Sequence, residues 1–298
     1  MKKEPVRHHY IPQFILRNFA CDNDKKLAYY YDKESQSTSQ CEICEVFMER
    51  NLYRDEINYA DVPVQIEYDL SKYEREVAKL IKEKFLDKRK IELTKEEDSM
   101  LKLFFAIMSF RNISTKEQFG AKASKESKDF YRHFQGNKNL EDFWKRNLGY
   151  LVNCRSMKDV VNHPEIDPPI KDFIQRDTNG LVGRYIIVVE PKEGDGFILG
   201  DCYPLIIFNA PLSLPLYDIS PISPNRAIIF ANVESAMTSH DVLILRPGVF
   251  DLPEINENGN SVIVTKRLLL DEVQFINREI EKNSHKGFIF SRLNKEIP

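Results

Sequence analysis

The chain has 298 residues, 42% hydrophobic and 30% charged, with 43 Lys and Arg against 46 Asp and Glu for a formal net charge of −3. This composition is globular and excludes a disordered or membrane-embedded chain. The charge balance excludes an overall basic footprint for nucleic acid or an anionic membrane, leaving room only for a local basic face.

The length suits one large domain or two ordinary ones. No apolar run approaches bilayer-spanning length, and the purest, residues 103–110, suits a buried helix. The opening MKKEPVRHHY carries two lysines but no apolar core behind them, so no secretory signal is expected there. Five scattered cysteines, an odd number, point to a reducing compartment, and the cytoplasm is the expected location.

Residues 1–7 read as a loose arm. Pro12 then stands at the first position of a short helix over 12–20, with Phe14, Ile15, Leu16 and Phe19 facing a core. Asp22-Asn23-Asp24 makes a turn, 26–31 a strand, and 34–40 a hairpin tip. From Ile66, the residues Leu70, Tyr73, Val77, Leu80, Ile81 and Phe85 recur at helical spacing. Thr94 followed by Glu97 is a capping-box pattern, and the helix it opens is apolar almost all round, which predicts a central position.

Further helices are expected over 115–134 and 139–152, separated by Gly136-Asn137. His163-Pro164 and Asp167-Pro168-Pro169 then break helix, and β-branched runs take over. Strands are predicted at 185–189, 196–199, 205–208, 227–230 and 242–245, a helix at 268–282 and a closing strand at 288–290. The sum is an α+β fold: an N-terminal short helix and β-hairpin, a central helical layer, and a mainly antiparallel, strand-rich C-terminal half with a late helix. One integrated domain over 1–298 is the preferred organisation; the alternative divides a mainly helical 1–180 from a strand-rich 181–298.

The run His8-His9-Tyr10-Ile11-Pro12-Gln13-Phe14-Ile15-Leu16-Arg17-Asn18-Phe19 resembles the opening signature of the domain of unknown function 4238 family. That opening reads His-His-Tyr, any residue, Pro-Gln, an aliphatic, Leu-Arg and Phe. Asn51-Leu52-Tyr53 is similar to the family's post-strand Tyr element, Glu67 and Glu74 to a helix with two glutamates, and residues 104–111 to an apolar helix ending in arginine. Gly200-Asp201-Cys202-Tyr203-Pro204 resembles its Ser-Asp-Asn-Pro turn, with one extra residue between Asp and Pro. Ser220-Pro221, Pro224 and Asn277 are similar to its C-terminal landmarks. The resemblance spans nearly the whole chain, is strongest at the start, and implies bacterial relatives rather than a mechanism.

Among residues that can carry chemistry, His8-His9 stands first. Imidazole ligates zinc, iron or manganese and passes protons near neutrality. Adjacent residues in an extended segment point oppositely, so one ring would serve a site while the other packs or bonds backbone carbonyls. Glu67 and Glu74 are two helical turns apart on one face. They either hold a divalent ion, although ~10 Å between backbones does not favour a joint ligand set, or divide acid and base roles, or are solvated surface residues. Arg111 and Arg17 either bond helix-end carbonyls or clamp a phosphate. Asp201 is either a ligand carboxylate or a turn-former. Cys41-x-x-Cys44 is half a zinc knuckle without its other half, so two ordinary thiols are expected. His133, His163, His240 and His285 carry no motif, and phosphate-loop, dinucleotide, serine-elbow and HExxH patterns are missing.

The preferred functional expectation is a metal-assisted hydrolase acting on a phosphodiester or nucleotide, a nuclease or phosphodiesterase. His8, His9, Arg17 and Arg111 would be catalytic, and His9, Glu67, Glu74 and Asp201 would ligate a divalent metal ion. Nucleic acid or nucleotide is the expected partner, with no membrane. The alternative is a non-catalytic ligand-binding or sensing module, in bacterial stress or phage defence as the resemblance suggests.

Overall fold

The computed structural model describes residues 4–120, 123–135, 139–182, 184–194, 196–209, 214–232 and 245–292. The chain opens with strand β1 (Arg7–His9) and helix α1 (Gln13–Leu16), which continues as a 3-10 turn over Arg17–Phe19. Pro12 is the residue before this helix rather than its first, with φ −57° and ψ 136°. A hairpin of β2 (Leu27–Asp32) and β3 (Ser37–Glu42) follows, so the expected hairpin tip is largely strand. Strand β4 (Met48–Arg50) returns to pair antiparallel with β1. Three-residue strands carry no readable alternation, and this pair was not legible in the sequence.

Helix α2 (Gln65–Lys84) buries Ile66, Leu70, Tyr73, Val77, Leu80 and Ile81, the stripe that periodicity predicts. After β5 (Lys90–Leu93), α3 (Lys95–Arg111) starts with the predicted box: Thr94 accepts from the Glu97 N–H and Glu97 from the Thr94 N–H. Every residue from Leu103 to Arg111 is buried, which puts this helix at the centre.

The single helix expected over 115–134 is two, α4 (Ile113–Glu117) and α5 (Lys125–Gln135). Asn112 caps the first through the Thr115 N–H, and Ser124 accepts from the Ser127 N–H at the second. Helix α6 (Leu140–Leu151) matches its expectation. Two unforeseen helices follow, α7 (Met157–Asn162) and α8 (Pro168–Val182). Pro168 and Pro169 open α8 instead of breaking it, because the first helical turn needs no donor from them.

The C-terminal half supplies β6 (Arg184–Pro191), β7 (Leu199–Gly200), β8 (Leu205–Asn209), β9 (Leu214–Ser223) and β10 (Arg226–Asn232). Then come β11 (Glu254–Ile255), β12 (Ser261–Val264), β13 (Lys266–Leu268), α9 (Leu270–Asn283) and β14 (Gly287–Phe290). The largest sheet has the order β13-β6-β10-β9-β8, antiparallel except where β13 joins β6. Strand β9 escaped prediction because its prolines look like breakers. Both Pro215 and Pro221 lie beside register shifts, where a ladder tolerates them. The strand expected at 242–245 lies, apart from Leu245, outside the described residues, as does His240.

One apolar cluster runs from Tyr10 and Phe19 through α2, α3 and α6 to Ile186, Phe230 and Ile289. A second, with Tyr185, Ile187, Ile229 and Ile276, packs α9 on the other face of the large sheet. Among the described residues no helix is long and apolar enough to cross a membrane.

Candidate functional site

The β1–β4 pairing holds His8 opposite Glu49 and His9 opposite Met48, and the two rings diverge as extended neighbours must. His8 is fully buried. Its Nδ1 accepts the Tyr53 N–H at 2.8 Å, its Nε2 faces the Pro5 carbonyl at 3.2 Å, and its ring stacks on Tyr53 at 5.6 Å. The first contact requires a bare Nδ1, so the proton sits on Nε2 and is donated to Pro5. Burial lowers the affinity of this ring for a second proton. His8 therefore fixes the turn after β4, and its expected catalytic role has no free nitrogen to work with.

His9 sits differently. The Arg17 Nη2 donates to Gln13 Oε1 at 2.7 Å, which turns the Gln13 amide nitrogen toward His9 Nδ1 at 3.3 Å. By elimination the His9 proton is on Nε2, which is buried near the Ile43 and Cys44 backbone without a well-formed hydrogen bond among the described residues. Desolvation is the main cause that drops its pKa to about 4; the Ile43 carbonyl opposes this, and the Arg111 and Arg17 charges add to it. In this tautomer the Nδ1 lone pair of the neutral ring faces the Gln13 amide and Nε2 carries the proton. Arg17, likewise, holds Gln13 from an exposed position.

Helix α2 supplies the opposite wall. Glu67, Ser71, Glu74, Arg75 and Ala78 line an open groove of about 420 Å³ with Arg7, His9, Gln13 and Phe14. Spacings of three and four residues put these α2 side chains on one face. Beneath the groove lies Arg111, 1% exposed, with its Nη2 2.7 Å from Glu74 Oε1 and 3.3 Å from the His9 carbonyl. Its Nε reaches the Tyr10 carbonyl at 3.3 Å, and its guanidinium lies 5.8 Å from the centre of the Tyr53 ring. Arg111 thus ties α2, α3 and β1 together from below. Its Nε and Nη2 are engaged from within the fold, and the side chain is buried rather than presented to the groove.

Glu67 is the unusual group. It is half-buried and accepts no hydrogen bond among the described residues. Desolvation, reinforced by the Glu74 charge and only partly opposed by Arg111, pushes its carboxyl from the ordinary 4.5 up to about 8. Burial also pushes Glu74 up, but Arg111 touches Glu74 directly and favours its charged form. Burial thus pushes both glutamates of this helix face up, and only Glu74 has a cation in contact with it.

Asp201 belongs to another part of the fold. Its carboxylate accepts the His285 N–H at 2.7 Å and the Lys286 N–H at 2.6 Å, fixing the turn into β14. Asp201 thus caps a distant turn rather than its own backbone, and no contact joins it to Glu67 or Glu74 among the described residues. Among the described residues no three His, Cys, Asp or Glu side chains gather as a metal-holding group. Cys41 and Cys44 are separate free thiols, and burial pushes Cys41 up to about 11. Asp201→Ala is expected to cost about 2 kcal/mol in urea unfolding, from two buried backbone donors left without a charged acceptor, with no effect on the groove.

Comparison with known proteins follows the same outline. A family model described as a protein of unknown function (DUF4238) matches residues 7–294. The chain belongs to that family. No curated protein and no solved structure matches it. In this DUF4238 chain His9, Gln13 and Phe14 of the opening run line the groove together with the two-glutamate helix. Sequence reasoning missed Gln13, Ser71 and Arg75. Gln13 was visible as the residue one turn before Arg17, and Ser71 and Arg75 as the positions four and eight after Glu67.

Proposed function

We propose that this DUF4238 chain is a hydrolase working by acid–base chemistry in the groove, on an anionic ester of the phosphodiester class. The observation that carries this reading is Glu67, a half-buried carboxyl lining the groove with no hydrogen-bond partner among the described residues, which desolvation pushes up to about 8. In the proposed step, a water oxygen bonds to phosphorus while the bond to the leaving oxygen breaks. Glu74 takes the proton of the water, through the oxygen that Arg111 leaves free, and Glu67 gives its proton to the leaving oxygen. Solvent returns the proton from Glu74 to Glu67. Arg75, exposed at the rim and without an ion pair among the described residues, meets the charge of the ester.

The scheme is written without a metal ion, because among the described residues no three His, Cys, Asp or Glu side chains gather as a ligand set. Hydrolysis of bis(p-nitrophenyl) phosphate from about pH 5 to pH 9.5 tests the reading. Turnover should persist in EDTA, fall above about pH 8, and drop at least about 100-fold in Glu67→Gln. Wild-type turnover in that variant contradicts the assignment, and loss in EDTA points back to metal assistance. Ligand-induced stabilisation without any turnover would instead support a non-catalytic binding module.

A further inference from the structure

A second polar constellation lies far from the groove in sequence, on the face of the large sheet covered by α8, with Phe105 of α3 against it. Arg184 at the start of β6 reaches across β10 to Asp218 of β9, with Nη1 2.5 Å from Oδ2. Phe230 of β10 pairs with both Ile186 and Asp218, so the two charged residues flank the Phe230 strand. Ser220 follows two residues after Asp218 and shares its face. Tyr203 packs against Phe105, whose ring also meets Phe230.

The ion pair is single-pronged. Among the described residues Arg184 Nε and Nη2 and Asp218 Oδ1 are buried without a hydrogen-bond partner, and the buried Ser220 and Tyr203 hydroxyls face each other. Arg184 is 1% exposed in its side chain, Ser220 0% and Tyr203 2%. Buried polar groups are rarely left unmet, and a cluster of them on one face calls for a partner. Nε and Nη2 form one edge of the guanidinium, the edge whose two parallel N–H groups match two oxygens of an oxyanion.

We propose that this constellation is a binding site for a phosphate group carrying one proton. Two phosphate oxygens take the open edge of Arg184, and a third accepts from the Ser220 hydroxyl, which itself accepts from Tyr203. The phosphate O–H donates to Asp218 Oδ1. That last contact selects the ligand, because sulfate has no proton to give near neutrality and would set its charge against the Asp218 carboxylate. Burial, opposed by Arg184, pushes Asp218 up to about 6, close to the second ionisation of phosphate, so the proton is readily shared between them. The site uses none of the groove residues and stands or falls apart from the hydrolase reading.

Equilibrium dialysis of the full chain against radiolabelled inorganic phosphate near neutral pH tests it. Saturable binding is expected, with sulfate competing at least about 100-fold more weakly. Methyl phosphate competing as well as phosphate would mark an esterified ligand, and its exclusion a free ion; both support the site. Ser220→Ala, a change small enough to keep the fold, should weaken phosphate about tenfold. D218N should narrow the preference over sulfate by replacing an acceptor with a group that can donate. Three results overturn the proposal: no saturable phosphate binding, sulfate competing as well as phosphate, or binding lost in Arg75→Ala but intact in Ser220→Ala, which would put the ion in the groove.

Discussion

Arg111→Ala is expected to destabilise the protein by about 3–5 kcal/mol, as for removal of one partner of a buried ion pair. The side chain ends the most buried helix of the fold, and its removal strands the Glu74 carboxylate and the carbonyls of His9 and Tyr10 together. Glu74 escapes part of the penalty by taking up a proton. The loss should therefore be smaller at acid pH and grow as pH rises through the carboxylate range. Adding Glu74→Gln removes the stranded charge and should restore about 1–2 kcal/mol, a coupling that a double-mutant cycle in urea measures directly. Additive losses at all pH values would show that the pair does not act as a unit.

The second large effect has the opposite sign. The folded state holds Glu67 near 8, above its ordinary 4.5, so folding favours the protonated form. Its contribution to stability is fully present below about pH 4.5 and is lost as pH rises toward 8. Linkage at about 1.4 kcal/mol per unit sets a ceiling near 5 kcal/mol, and solvent reaching the half-buried carboxyl reduces this to about 1–3 kcal/mol. Glu67→Gln, neutral at every pH, should match the wild type in acid and be more stable by that amount near pH 8.5. Thermal unfolding at both ends of the range checks this. The same substitution that should abolish turnover is thus expected to stabilise the fold, a separation of effects typical of a group kept for function.

Much of this architecture was legible in residue spacing. The α2 stripe, the Thr94–Glu97 box and the all-apolar α3 each follow from local pattern, and the interval from Glu67 to Glu74 did place both on one wall. The divergence of His8 and His9 also followed from extended geometry. What each ring does was not legible, because the deciding partners are the Tyr53 N–H, 45 positions along the chain, and a Gln13 amide oriented by Arg17. Arg111 illustrates the same limit. A helix-terminal arginine reads as exposed, and only the packing of β1 over the end of α3 makes it the floor of the groove. Asp201 drew attention as a ligand for its position after a strand, whereas the backbone donors it satisfies belong to a turn more than 80 residues later. Prolines misled twice, at α8 and at β9, because their effect depends on whether they open an element, lie beside a register shift or interrupt its middle.

The central claim is that Glu67 carries a proton through neutrality, and direct titration tests it. With carboxyl-labelled glutamate, carbon-13 NMR should show one resonance, missing in Glu67→Gln, that titrates with a midpoint near 8. A Glu67 midpoint near the ordinary 4.5 would mean that the carboxyl is charged at neutral pH, and the acid–base reading of the groove would be wrong.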